Sequence, residues 1–137
     1  MTGAVQHKYS GLKFTVIHCA GALESLHEAL SSIPKKRRSS MTQGIIIQLQ
    51  RLADGQPMSK ENFRTEGELP RRTGKSVKSF SALKRIPIRG YCWPSQRCPG
   101  TWFISHYIYK NWEKLDGSDT TIVGSNWIRI EEHGHDH

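Results

Sequence analysis

Hydrophobic positions recur along this chain in two rhythms, and the switches between them outline its elements. "LKFTVIHC" (12–19) sets Phe14, Val16 and His18 against polar neighbours, the two-residue period of a short strand. "GALESLHEALSSI" (21–33) brings back Leu23, Leu26, Leu30 and Ile33 at spacings of three and four, the stripe of an amphipathic helix, and Pro34 stops or kinks it. "KKRRSSMTQGIIIQLQRLADG" (35–55) repeats the helical period through Met41, Ile45, Leu49 and Leu52, with Gly55 placed as a C-terminal cap. Together these two segments predict a helical hairpin.

From Gln56 to about Lys78 the chain turns polar, with Pro57, Gly67, Pro70 and Gly74, and reads as a long basic loop holding at most a short strand near Asn62–Thr65. Three strands are expected next: "SFSALKR" (79–85), "IPIRGYCW" (86–93) and "TWFISHYIYK" (101–110), the last two joined by the wide turn "PSQRCPG". "DGSDTTIVGSNWIRIEE" (116–132) returns to helical spacing through Ile122, Trp127 and Ile130, with Asp116 or Ser118 as its N-cap. The expected fold is therefore α+β: an N-terminal strand, a helical hairpin, a twisted antiparallel sheet of four to five strands, and a short C-terminal helix. At 137 residues the chain fits one domain, with a flexible tail from about 132 to 137.

No apolar run approaches the length of a membrane span, and the opening residues lack the apolar core of a secretory signal. Three cysteines, Cys19, Cys92 and Cys98, leave one without a disulfide mate. The expected setting is cytoplasmic, with no membrane partner. Net charge is +8, which predicts attraction to polyanions. Arg64, Arg71, Arg72, Lys75, Lys78, Lys84, Arg85 and Arg89 face only Glu66 and Glu68 within 64–89, whereas the "KKRR" cluster at 35–38 is offset by acidic residues elsewhere. Arg71, Arg72, Lys75, Lys78, Lys84 and Arg85 are accordingly candidates for nucleic-acid contact, although a solvated basic face has the same composition.

Two tempting motifs fail on spacing. "RTGKS" (72–76) lacks the glycine that a phosphate-binding loop needs five residues before Gly74, since that position is Leu69. "CWPSQRC" near His106 has too wide a cysteine gap for a zinc site. The tail "HGHDH" binds stray metal at most. No metal or cofactor is expected.

Strand alternation then assigns faces. In 86–93, Ile86, Ile88, Gly90 and Cys92 point toward the helices, while Arg89, Tyr91 and Trp93 point the other way. In 101–110, Trp102, Ile104, His106 and Ile108 alternate with Phe103, Ser105, Tyr107 and Tyr109, and both sets are half apolar. Periodicity alone does not choose between them. The expectation adopted is the isoleucine set inward, with Tyr107 and Tyr109 beside Arg89 and Tyr91 along a groove. His106 is then either a satisfied core histidine or, if it faces the groove, a group titrating near neutral pH.

The stretch "PIRGYCW", followed by "FISHYIYKNWEKL" and then by a helix ending "WIRI", resembles the HigB-like branch of the RelE/ParE superfamily of bacterial toxins. That branch has an arginine-tyrosine strand, matched by Arg89 and Tyr91, followed by a hydrophobic-histidine-Phe-x-Lys-Lys segment. His106 and Lys110 match the latter, while Asn111 replaces its second lysine and Lys114 lies close by. The resemblance implies a toxin of a type II toxin-antitoxin system. Such a toxin cuts messenger RNA on the ribosome, inhibits translation and is controlled by a cognate antitoxin. It also implies roles. Arg89 and Lys110 would stabilise the phosphate, and His106 would act as general base. Tyr91 and Tyr107, with Tyr109 nearby, would stack on or hydrogen-bond exposed bases. A non-catalytic nucleic-acid-binding protein and a ParE-like poison of DNA gyrase are the alternatives.

Overall fold

Two of the predicted strands run side by side, and their pairing organises the molecule. The computed structural model describes residues 4–70, 78–110 and 116–134. In chain order the elements are β1 (Lys8–Ser10), β2 (Thr15–His18), α1 (Ala22–Leu30), α2 (Arg38–Asp54), β3 (Phe63–Glu68), β4 (Ser79–Arg85), β5 (Ile88–Pro94), β6 (Thr101–Tyr109) and α3 (Gly117–Trp127). A 3-10 turn at Lys35–Arg37 leads into α2, and a π-helical turn at Ile128–Glu132 follows α3. The architecture is α+β, a mixed six-stranded sheet in the order β1-β2-β6-β5-β4-β3 with three helices. Among the described residues only β2 and β6 pair in parallel; the other pairings are antiparallel. No helix among the described residues is long and apolar enough to cross a membrane.

Most of the periodic signals form what they predict. Gly55 ends α2 in the left-handed conformation, its N–H on the Leu52 carbonyl and that of Gln56 on Arg51. Asp116 caps α3 by accepting from the Ser118 N–H at 3.0 Å. The sheet has six strands where four to five were expected. β1, which pairs with β2, is the added one, and β3 at 63–68 extends the short strand expected near 62–65. Both are short edge strands with little to bury, so their existence rests on register with a neighbour rather than on their own pattern.

The sheet is covered on both sides. Leu26, Ile33, Met41, Ile45 and Leu49 of the first two helical segments pack on Val16, Leu83, Ile88, Cys92 and Ile104. Val123, Trp127 and Ile130 pack on Phe80, Ala82, Tyr91, Trp93 and Phe103. The face assignment for 86–93 therefore holds for Ile88, Cys92, Tyr91 and Trp93, although Ile86 lies outside the strand and is half exposed. The second face, however, is no open groove: α3 lies on it.

Strand β6 departs from simple alternation. Tyr91 pairs with His106 but Cys92 pairs with Ile104, so Ser105 is an extra residue with no partner, a β-bulge. Beyond it every side chain changes side. Trp102 and Ile104 face α1 and α2, and so do Tyr107 and Tyr109, while Phe103 and Ile108 pack on the α3 side. The expected grouping of His106 with Ile104, and of Tyr107 and Tyr109 with Arg89, is thus overturned by one inserted residue.

Tyr107 instead belongs to the core. Its ring crosses Gly90, where a Cβ would lie 2.6 Å from ring carbon Cε2. Its hydroxyl donates to His18 Nε2 at 2.7 Å, and the two rings stack at 5.6 Å. The other nitrogen of His18 donates to the His7 carbonyl at 3.1 Å, because a carbonyl can only accept. His18 is thereby fixed as the neutral Nδ1–H form. Burial lowers its pKa to about 4, outweighing the opposite pull of the His7 carbonyl. An unfolded histidine titrates near 6.5, so the unfolded chain binds the extra proton between these values and stability falls as pH drops through that window. Denaturant unfolding at pH 7 and pH 4 should show wild type losing on the order of 3 kcal/mol. His18→Gln should lack most of that loss; an undiminished pH dependence in the variant would show that another group controls it.

Candidate functional site

The chain leaves β2 toward α1 on one face of the sheet and leaves β6 toward α3 on the other. Parallel neighbours whose connections part in this way leave a crevice at their carboxyl ends. Here β2 stops at His18 while β6 runs on to Tyr109. The crevice has a volume of about 600 Å³, with Ser105–Tyr109 as its floor. Gly21, Ser25 and Glu28 form one wall, and Asp119, Ile122 and Asn126 the other. The strand edge exposed there is partly satisfied by α1, since the Ser25 hydroxyl accepts from the Tyr107 N–H at 2.9 Å.

A directed chain of hydrogen bonds runs along the α3 wall. Arg129 donates to Asn126 Oδ1 at 3.2 Å, which fixes the amide so that Nδ2 donates to Ser105 Oγ at 2.8 Å. The Ser105 hydroxyl is then oriented to donate to His106 Nδ1 at 2.9 Å. His106 Nε2 therefore carries the ring proton and donates to Asp119 Oδ1 at 3.0 Å. The second oxygen of Asp119 takes Lys110 Nζ at 3.1 Å. Burial alone would raise the Asp119 carboxyl, but the hydrogen bonds and charges of His106 and Lys110 together outweigh it and hold the carboxyl below its ordinary value.

On the same face, the Tyr91 ring tilts against His106 with centroids 5.2 Å apart. Burial and the Asp119 charge push the Tyr91 phenol well above its usual range, against the opposing charge of Arg89. Tyr91 thus remains a protonated donor. Arg89 is cross-strand neighbour to Lys84, whose Nζ lies 2.9 Å from Glu66 Oε1. Lys84, Arg89 and Lys110 are all buried, a row of cations across β4, β5 and the end of β6.

The four residues matched to the toxin motif, Arg89, Tyr91, His106 and Lys110, therefore meet on one face. Most of the expected nucleic-acid contacts do not join them. Tyr107 and Tyr109 lie on the opposite face, against the core of α1 and α2, because of the bulge. Lys84 is buried against Glu66 and is unavailable to a ligand in this conformation. Lys78 and Arg85 are exposed, with Arg85 lying over α2. Arg71, Arg72, Lys75 and Lys114 fall outside the described residues.

Three participants escape sequence reasoning: Asp119, Ser105 and Asn126. A carboxylate in the first turn of a helix looks like ordinary helix-dipole matching. The one available signal was a small polar residue, Ser105, between the larger side chains of Ile104 and His106.

Ser105, His106 and Asp119 have the connectivity of a nucleophile-base-acid triad. Yet Ser105 is 1% exposed and its hydroxyl already accepts from Asn126, so its work here is to orient the ring. The arrangement supplies a positioned imidazole, neighbouring cations and a protonated phenol.

Comparison with known proteins finds no matching family model, no matching curated protein and no matching solved structure.

Removing the Asp119 charge takes a carboxylate away from the buried Lys110, and breaking a buried pair typically costs about 3 to 5 kcal/mol. Asp119→Asn should unfold at correspondingly lower denaturant at pH 7. Because the Asp119 pKa is depressed on folding, its contribution is complete above about pH 4, the unfolded value, and fades as pH falls below that. The gap between wild type and variant should therefore narrow toward pH 2. A gap that stays constant would show that geometry, not charge, is what Asp119 supplies.

Proposed function

We propose that this chain is a RelE/ParE-type toxin of the HigB-like branch, a ribosome-dependent messenger-RNA endoribonuclease restrained by a cognate antitoxin. The observation that carries this reading is the bulge at Ser105. Strict alternation would put His106 on the face opposite Arg89 and Tyr91; the extra residue returns it, with Lys110, to their side. All four motif positions thereby converge. The order of a strand, two helices on one face, antiparallel strands and a terminal helix supports a RelE-like arrangement, with β1 as an added edge.

Cleavage in this reading uses the RNA's own 2′-hydroxyl. His106 accepts its proton at Nδ1 once the Ser105 hydroxyl releases that nitrogen, and the 2′-oxygen bonds to phosphorus. The P–O bond to the next nucleotide breaks, leaving a cyclic phosphate and a 5′-oxygen that takes a proton from water to become the new 5′-hydroxyl, while His106 later returns its proton to solvent. Arg89 and Lys110 offset the charge gathering on the phosphorane oxygens, and Tyr91 donates a hydrogen bond. Of the four, only His106 lines the crevice. Access of substrate to Arg89, Tyr91 and Lys110 in this reading requires α3 to draw back from the sheet.

The burial of Arg89 and Lys110 favours a second reading, a non-catalytic nucleic-acid-binding protein in which this cluster is interior and exposed cations make the contacts.

Induced expression in a bacterial host, with message ends mapped by primer extension, separates the two. Wild type should arrest growth and produce cuts in phase with codons. His106→Gln retains a donor toward Asp119 but cannot accept a proton, so it should fold and cut at least about a hundredfold more slowly. Arg89→Lys should be intermediate, since the planar fork is lost. Codon-phased cleavage at full rate by a folded His106→Gln protein would sink the assignment.

A further inference from the structure

Gly44 sits in the middle of α2, where glycine is less favourable than alanine. Its lack of a side chain has a visible use. A Cβ there would overlap the guanidinium of Arg85, an exposed residue at the end of β4 whose side chain lies over the helix at this point. A depression opens on either side of that guanidinium. One, of about 470 Å³, is lined by Lys36, Arg37 and Ser40. The other, of about 380 Å³, is lined by Gln48, Arg51 and Ser59. Asn62 and Arg85 belong to both, so the two form a continuous groove between α2 and the segment before β3.

The lining is rich in donors. Lys36, Arg37, Arg51 and Arg85 are basic, and Glu61 is the single carboxylate among the lining residues. From residue 35 to 53 the sequence contains no acidic residue. The "KKRR" cluster, whose charge looks offset when counted along the chain, is thus not offset where it sits. Ile47 and Ile86 flank the groove at 54% and 50% exposure, giving it apolar margins.

We propose that this groove binds the phosphodiester backbone of single-stranded RNA. Arginine forks and neutral donors suit phosphate oxygens. The two isoleucines offer an apolar surface to unstacked bases, which only an unpaired strand can present. The groove lies on the α1–α2 side of the sheet, away from Arg89, His106 and Asp119. It goes beyond the catalytic reading and stands whether or not the chain cleaves RNA.

The test is fluorescence anisotropy with a labelled twelve-nucleotide single-stranded RNA across a salt series. Arg51→Gln combined with Arg85→Gln should weaken binding about tenfold near physiological salt. The same pair should flatten the log-log salt slope by about 1.4, the value for two lost contacts to a single strand. Lys8→Gln with Lys13→Gln removes the same charge elsewhere and should leave both quantities near wild type. Gly44→Ala should keep its circular dichroism spectrum yet lose affinity as Arg85→Gln does, because the new methyl displaces the guanidinium. The proposal is overturned if the Lys8/Lys13 pair has an equal effect, or if the groove variants bind as wild type. Equal competition by duplex RNA or by a poly-glutamate peptide would also overturn it, pointing to a generic polyanion surface or an acidic protein partner. Cleavage is not read in this assay, so its failure leaves the endonuclease reading to its own experiment.

Discussion

A single inserted residue in β6, Ser105, decides which side chains share the α3 face of the sheet. Side chains on a strand alternate with a period of two, so one extra residue sends everything beyond it to the opposite side. Tyr107 and Tyr109 are carried into the core of α1 and α2, while His106 is carried to Tyr91 and Asp119. Gly90 accommodates the first of these moves by leaving space for the Tyr107 ring. Asn126 and Asp119 of α3 hold the other in place, by fixing Ser105 and the ring proton of His106. The bulge, the glycine and the helix therefore form one device spread over β5, β6 and α3.

Electrostatics makes that device demanding. Lys84, Arg89 and Lys110 are withdrawn from water, which is tolerated only where charge and hydrogen bonds compensate. Glu66 and Asp119 supply compensation from a bulge in β3 and from the first turn of α3. Removal of either carboxylate is felt beyond its own contact, because Glu66 serves Lys84 on the neighbouring strand and Asp119 serves Lys110 just past the end of β6. A cation row held this way is also what a site for phosphoryl chemistry requires: charge fixed in advance in a place with little water. Stability and the proposed chemistry consequently draw on the same residues, with α3 supplying the internal anion that RNA phosphate would replace.

Much of the architecture was legible in the sequence, because strong periodicity and caps are local signals. The stripes of α1 and α2, the Gly55 terminator, the Asp116 cap and the three C-terminal strands all carry their own pattern. What was not legible depends on partners distant in sequence. β1 exists because β2 offers it an edge, and β3 takes its register from β4. The bulge has no glycine to announce it. It arises where Tyr91 and Cys92 must face opposite cores while pairing with His106 and Ile104. The expectation of an open groove beside Arg89 failed for a related reason: alternation tells which way a side chain points but not what lies over it. Arg89, read from the strand pattern as a surface group, is 1% exposed beneath the α3 side of the sheet, so its replacement by alanine bears on folding as well as on function.

The position of the His106 ring tests this account most directly, because both the face assignment and the proposed catalytic cluster depend on it. Aromatic nuclear Overhauser contacts of the His106 imidazole should be recorded in the folded protein at neutral pH. Strong contacts to the Tyr91 ring, 5.2 Å away between centroids, are the expected result, together with contacts to the α3 wall of the crevice. Contacts instead to Leu26 and Cys92, on the side of α1 and α2, would mean that β6 alternates without a bulge and that the four motif residues never meet.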